Sequence, residues 1–279
     1  MPAVSVIIPA YNGGPRLHDA VTSVLGQTFF DLELVVVDDG GSEDLSWLSH
    51  VDERVRLISQ QNAGVSAARN VGADSTDAPL IAYLDQDDRW APEKLFLQLR
   101  ALGDAVLSHT DFFWCGLEKT LGHHDKGPIT RAELLAGGHF CLSSLLVRRE
   151  AVERVGGFRV DLAMQQDFDI GIKLLALGTA SHVAKPLVDY VLHHDNASSN
   201  YRLAHKERVA VIRENADKDE APLARTGVRA GRELYGAQAL QAFRRTRSPG
   251  DLVRAAAWSP GHVAASCAGK IRGLPPLLL

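Results

Sequence analysis

Across the first hundred residues, short runs of aliphatic and β-branched side chains alternate with segments whose apolar positions recur every three or four residues. Ala3 to Ile8 reads as a strand that Pro9 stops, followed by a turn-rich loop from Ala10 to Pro15. Leu17, Ala20, Val21, Val24 and Leu25 then fall on one helical face. Leu32 to Val37 is almost wholly apolar, as a central parallel strand covered on both faces must be. Val55 to Ile58 and Leu80 to Leu84 read as further strands, with a helical segment over Gly64 to Ala73 between them. This alternation predicts an α/β domain with a doubly wound, mostly parallel sheet and helices on both faces.

The second hundred residues are less regular. Pro92 suits the first position of a helix with Leu95, Leu99 and Leu102 on one face. Ala105 to Phe113 reads as a strand, and residues 116–128 as a surface loop rich in Gly, His and Lys. Thr130 and Glu133 have capping-box spacing, and Leu142 to Val147 is strand-like. Gly156-Gly157-Phe158 breaks the chain before a helix from Phe168 to Leu177, closed by Gly178. Val183 to Leu192 returns as a strand in which Pro186 marks an edge or a bulge. From Tyr201 the pattern is helical, interrupted at Pro222, Ser248-Pro249-Gly250 and Ser259-Pro260-Gly261. The expected organisation is a domain over 1–200, divided near residue 105, and a helical C-terminal extension over 201–279.

Composition adds little until charge is mapped along the chain. Residues 201–279 carry 14 Lys and Arg against 7 Asp and Glu, whereas the first 200 carry 16 against 27. The net charge of −4 gives no general case for nucleic-acid binding, and no nucleic-acid partner is expected; the body is acidic and the tail basic. This contrast suggests two surfaces, the tail being suited to anionic lipid, to a second copy of the chain in a homodimer, or to packing on the body. Val209, Ile212, Leu234, Leu240 and Phe243 need burial and favour packing. Cys115, Cys141 and Cys267 have no ligand spacing and read as thiols of a reducing compartment. The apolar start to Ile8 is too short for a signal peptide, and no run is long enough to span a bilayer. A cytoplasmic protein, soluble or peripheral to a membrane, is expected.

Two strands end in acid. Leu32–Val37 runs into Asp38-Asp39-Gly40, and Leu80–Leu84 into Asp85-Gln86-Asp87-Asp88. Carboxylates crowded at the carboxyl ends of parallel strands lie where open α/β sheets bind ligands, and a divalent cation would offset their repulsion. An acidic turn capping the next helix accounts for either group taken alone. In Asn62–Gly72 the small residues permit close backbone approach, and Arg69 offers a cationic fork suited to phosphate or carboxylate; an Ala-rich helix with a surface arginine fits equally.

Taken in order, Val6-Ile7-Ile8-Pro9-Ala10-Tyr11-Asn12, Val37-Asp38-Asp39-Gly40, the Asn62–Gly72 segment and Leu84-Asp85-Gln86-Asp87-Asp88 resemble family 2 glycosyltransferases, over residues 3 to about 198. The resemblance implies the GT-A fold, with 1–105 as the nucleotide-binding half and 106–200 as the acceptor side. It implies an inverting transfer from a nucleoside-diphosphate sugar, by default a UDP-sugar, to a sugar or lipid-linked acceptor. Pro9, Ala10, Tyr11, Asn12, Asp38, Asp39, Arg69 and Asp87 would bind the nucleotide. Asp87 and Asp88 would hold Mg²⁺ or Mn²⁺, with His193, from a Tyr190–Ser198 run that also resembles the family, completing the shell. In Gln165-Gln166-Asp167-Phe168-Asp169, Asp167 would be the catalytic base, although Gln166 stands where the family often has glutamate. Gly41 likewise stands where serine is frequent.

Rival readings lack their own signatures. A sugar-nucleotide pyrophosphorylase needs a basic Gly-rich loop after the first strand, and Ala10–Pro15 has no lysine. An NAD-dependent oxidoreductase needs Gly-x-Gly-x-x-Gly there. A non-enzymatic nucleotide-sugar sensor would have no use for Asp167.

Overall fold

A computed structural model describes residues 1–116, 119–122, 127–138, 140–192, 200–246 and 249–259. The chain opens with β1 (Val4–Ala10), α1 (Pro15–Leu25), β2 (Leu32–Asp38), a single turn α2 (Leu48–Val51), β3 (Val55–Ser59), α3 (Val65–Asp74) and β4 (Leu80–Tyr83). β1 pairs in parallel with β2 and β4, and β2 with β3. All seven residues of β1 are buried. Val4, Val6 and Ile8 meet α1 on one face of the sheet, while Ile7 meets the α3 side on the other, which is why the strand carries no alternation. Pro9 does not stop the ladder as expected. It pairs with Val37 of β2, on a stretch of β1 that β4 no longer accompanies, since β1–β4 pairing ends at Ile7 and Tyr83. Its missing N–H therefore leaves no gap in the sheet.

Next come β5 (Arg89–Trp90), α4 (Lys94–Leu102), β6 (Leu107–Cys115), β7 (Lys119–Leu121), α5 (Arg131–Leu135), β8 (Leu146–Arg148), α6 (Arg149–Val155), α7 (Gln166–Leu177) and β9 (Ala180–Val191). The sheet runs β3-β2-β1-β4-β8-β6-β9-β5, with β7 on β6. Here the direction mixes: β8 is antiparallel to β4 and β6, and β9 is parallel to β6. The expected strand from Leu142 is a 3-10 turn over Leu142–Ser144, leaving only Leu146–Arg148 extended. Pro92 lies in the turn before α4, not at its first position. Pro186 does mark an irregularity, opposite Asp111 where the β6–β9 register shifts. Thr130 and Glu133 form the full reciprocal capping box.

The extension supplies α8 (Tyr201–Asn215), α9 (Ala221–Thr246) and α10 (Pro249–Trp258). Val211 and Ile212 are fully buried in the core that also holds α3, α6 and α7, and Leu223 and Val228 of α9 pack against it. Arg131 of α5 ties the layers polarly, donating to Glu220 at 2.9 Å and to the Asn215 carbonyl at 2.6 Å. Among the described residues no helix is long and apolar enough to cross a membrane.

Candidate active site

The loops after β1, β2 and β4 converge at the carboxyl edge of the parallel strands, and each is fixed by a side chain from a neighbour. Asn12 holds a left-handed φ of 50°, a conformation asparagine tolerates better than most residues. Its Oδ1 accepts from the Ser42 amide at 2.8 Å, tying the β1 loop to the β2 loop. Gly41 fits beneath: a side chain there would press within 3.1 Å of the Asn12 backbone nitrogen. Gln86 joins the third loop by a two-point clasp, accepting from the Tyr11 amide at 2.8 Å and donating to the Tyr11 carbonyl at 3.2 Å. Tyr11 itself is left 50% exposed.

The two members of the first acidic pair differ. Asp38 is half-buried and accepts from the Gly41 amide at 2.9 Å. Asp39 is 4% exposed and takes three donors, Gln60 Nε2 at 2.7 Å, the Ala63 amide at 2.8 Å and the Gly64 amide at 2.9 Å. Asp39 thus organises the loop into α3, and Asp38 is the more open carboxylate. Pro9 and Ala10 lie inside β1, buried below this loop layer.

Arg69 is not the surface arginine of an Ala-rich helix: its cationic fork meets carboxylates. It is 2% exposed, and its two terminal nitrogens donate to Asp85 at 2.6 Å and Asp167 at 2.7 Å. Burial works against its charge, but Asp167 and Asp85 more than offset this and hold the guanidinium protonated. Phe158 lies under it, the ring centroid 5.1 Å from the guanidinium carbon. Two close approaches set this stack. Any side chain at Gly72 would collide with Ile7 of β1, so α3 rests directly on the sheet. Gly157, at φ 69°, passes so near Asn70 that a Cβ would stand 2.6 Å from Asn70 Oδ1. Asn70 then accepts from the Phe158 amide and donates to its carbonyl, both at 2.8 Å.

Asp167, in the first turn of α7, keeps 35% of its side chain open to solvent. Burial pushes its carboxyl above the usual range, Arg69 pulls the other way, and the charge of Asp85 adds to the push. Asp88 is 1% exposed, accepting from Ser143 Oγ at 2.6 Å and the Val191 amide at 3.0 Å. Its carboxyl is pushed well up by burial, then by the charges of Asp85 and Asp87. Asp87 is half-buried beside it. Among the described residues no group of three or more His, Cys, Asp or Glu side chains forms a ready metal cage. Two hard carboxylates are nonetheless the protein share that Mg²⁺ ordinarily takes when a substrate diphosphate supplies the rest. His193 lies outside the described residues.

Sequence reasoning assigned no role to Gln86, Asn70 or Ser143, and named Phe158 only within Gly156-Gly157-Phe158. Asn70 and Gln86 sit inside the quoted motifs, but neither type announces a clasp. Ser143, which also accepts from the Asp85 amide at 3.1 Å, carries no local signal. Gln166 presents a buried Oε1 with no hydrogen-bond partner among the described residues.

Because burial and neighbouring anions raise the Asp88 pKa in the fold, its ionised form costs stability above the unfolded value of about 4. That cost is relieved as pH falls through the folded value. Asp88→Asn, which can still accept from Val191 and meet Ser143, is expected to raise the melting temperature of the metal-free protein at pH 7.5 by about 2–4 °C per kcal/mol relieved. It should also flatten the stability profile below pH 7. A lower melting temperature would show that the carboxylate is needed for the fold itself.

Residues 5–156 match the family described as Glycosyl transferase family 2. The chain belongs to that family. An uncharacterized glycosyltransferase of Haemophilus influenzae is 33% identical over 165 residues, covering 55% of this chain and 65% of that protein, just under two thirds of its length. The Bacillus subtilis protein named "Putative teichuronic acid biosynthesis glycosyltransferase TuaG" is 29% identical over 226 residues, 76% of this chain and 88% of that one. Among solved structures, S. aureus TarS in complex with UDP-GlcNAc superposes with a TM-score of 0.71 at 15% identity, over 91% of this chain and 78% of that one. Mannosyltransferase PcManGT from Pyrobaculum calidifontis, in complex with GDP-Man and Mn²⁺, gives 0.64 at 18% identity, over 95% and 81%. The fold is that of the GT-A glycosyltransferases.

Proposed function

We propose that this protein transfers a sugar from a nucleoside-diphosphate sugar, a UDP-sugar by default, to an acceptor hydroxyl with inversion at the anomeric carbon. The observation that carries the reading is the Asp85–Arg69–Asp167 bridge: an open carboxylate of raised pKa, aimed by a buried cation, one side chain away from the acidic turn. A carboxylate so tuned takes the proton of a weakly nucleophilic hydroxyl as it attacks. One base and a single displacement account for inversion. Tyr11, Asn12 and Asp38, on the adjoining loops after β1 and β2, would meet the base and ribose. Asp87 and Asp88 would hold Mg²⁺ or Mn²⁺, and the oxygen-only donor set and mutual repulsion of these carboxylates suit a hard cation. When bound, that cation supplies positive charge against the departing diphosphate.

The UDP-GlcNAc bound to TarS supports a donor of this class, and the name of TuaG, a putative teichuronic acid biosynthesis glycosyltransferase, supports a role in polysaccharide synthesis. A cytoplasmic protein touching the membrane at its basic extension fits an acceptor carried on a lipid. A thermal-shift screen against UDP, GDP, dTDP and CDP, each with and without Mn²⁺, tests the reading. UDP with Mn²⁺ is expected to raise the melting temperature most, because ligand bound only to the native state stabilises it. No shift with any diphosphate under either condition would end it.

A further inference from the structure

We infer that the helical extension belongs to the catalytic apparatus: Glu207 of α8 is a positioning residue that fixes the start of α7 and, through it, Asp167. The inference rests on the proposed role of Asp167 as base. Helix α7 begins without the usual device. Its N-cap residue is Gln165, whose side chain caps nothing, and glutamine is not among the residues favoured there. In its place Glu207, 8% exposed, accepts from three consecutive backbone amides, Ala163 at 3.0 Å, Met164 at 2.8 Å and Gln165 at 3.1 Å. Charge-assisted bonds to three amides in a row fix the direction from which the chain enters the helix.

Two more side chains of the extension grip the same stretch. The Arg208 guanidinium lies 4.0 Å from the ring centroid of Phe168, the residue after Asp167, and donates to the Gly138 carbonyl at 2.9 Å. Tyr235 of α9 accepts from Gln165 Nε2 at 3.2 Å. Asp167 therefore lies between residues held by α8 on both sides, while its own carboxylate must meet Arg69 at 2.7 Å. Displacing a reacting group by about an ångström can cost a hundredfold in rate. All three gripping residues lie outside the stretch that matches the family, 5–156.

The test compares Glu207→Gln and Glu207→Asp with Asp167→Asn in the full chain. Hydrogen exchange is followed at the amides of residues 163–165. The Asp167 carboxyl is titrated by carbon NMR, its signal identified by its loss in Asp167→Asn. UDP release is measured with UDP-glucose, UDP-galactose, UDP-N-acetylglucosamine and UDP-glucuronate. In Glu207→Gln the three amides should exchange about tenfold or more faster. A loosened Arg69 contact should let Asp167 titrate about half a pH unit or more higher, moving the acid limb of kcat the same way. Turnover should fall about tenfold or more while the donor KM stays within about twofold. Glu207→Asp, which keeps the charge on a shorter arm, should fall between.

Faster exchange with an unmoved Asp167 titration and unchanged kcat would reduce Glu207 to a structural contact and overturn the inference. Unchanged exchange would remove the clasp itself. Full turnover in Asp167→Asn would instead sink the base assignment, a failure recognisable because the Glu207 variants would still alter exchange. Exchange and titration need no turnover, so they decide the matter whatever the donor.

Discussion

Replacing Arg69 with methionine is expected to cost about 3 kcal/mol of stability and nearly all turnover. Methionine fills much of the same space over Phe158, so the loss isolates charge and hydrogen bonding from packing. What it leaves behind is two carboxylates, Asp85 and Asp167, facing each other without their shared cation. Breaking a buried pair by removing one partner typically costs 3–5 kcal/mol, because the abandoned charge stays desolvated. Asp85 and Asp167 keep 28% and 35% of their side chains open, so water takes up part of that burden and the lower end applies. Arg69→Lys should rescue poorly, since one ammonium lacks the planar fork that reaches both partners. Adding Asp85→Asn to Arg69→Met should recover stability without recovering turnover. Guanidinium unfolding of the four proteins measures this. A single-variant loss below about 1 kcal/mol would mean that the bridge does not hold the two halves of the site together.

Asp167→Asn should act in the opposite way, leaving the fold and the donor site intact while lowering turnover about a hundredfold to ten-thousandfold. Asparagine keeps an oxygen for Arg69, so the bridge survives and only the capacity to take a proton goes. Donor KM should therefore hold while kcat falls, the mark of a group that acts in the transition state. In the wild type, kcat should rise with pH through the Asp167 pKa, and burial places that limb above the ordinary carboxylate value of about 4. The limb should vanish in Asp167→Asn. Turnover within about threefold of wild type would exclude Asp167 from proton transfer.

The parts of this site that were legible in the sequence are those where one residue type can do only one thing. A strand of Val and Ile without alternation must be covered on both faces, and β1 and β2 are. Three carboxylates after an apolar strand must find an unusual environment, and Asp88 does. Arg69 was visible as a cation but not as a bridge, because its partners lie 16 and 98 residues away and nothing local selects them. Asp39 was visible as an acidic turn but not as the anchor of the loop into α3, because the amides it accepts from lie more than twenty residues on. Strand β5 was missed because two residues carry no periodicity; Arg89–Trp90 is extended only because β9 lies alongside. The same holds for the turn at Leu142–Ser144, where a strand-like composition yields to the need to bring Ser143 under Asp88.

That pairing of β5 with β9 has a consequence for how the chain is made. Trp90 leaves the ribosome about a hundred residues ahead of its strand partner Val188, an interval of about 5–20 s at ordinary synthesis rates. The backbone amide that anchors Asp88 is farther on still, at Val191. The parallel β1–β2–β3–β4 unit can assemble early from near neighbours, whereas the acidic turn waits for the last strand to arrive. The nascent protein therefore acquires its parallel scaffold first and its charged turn last.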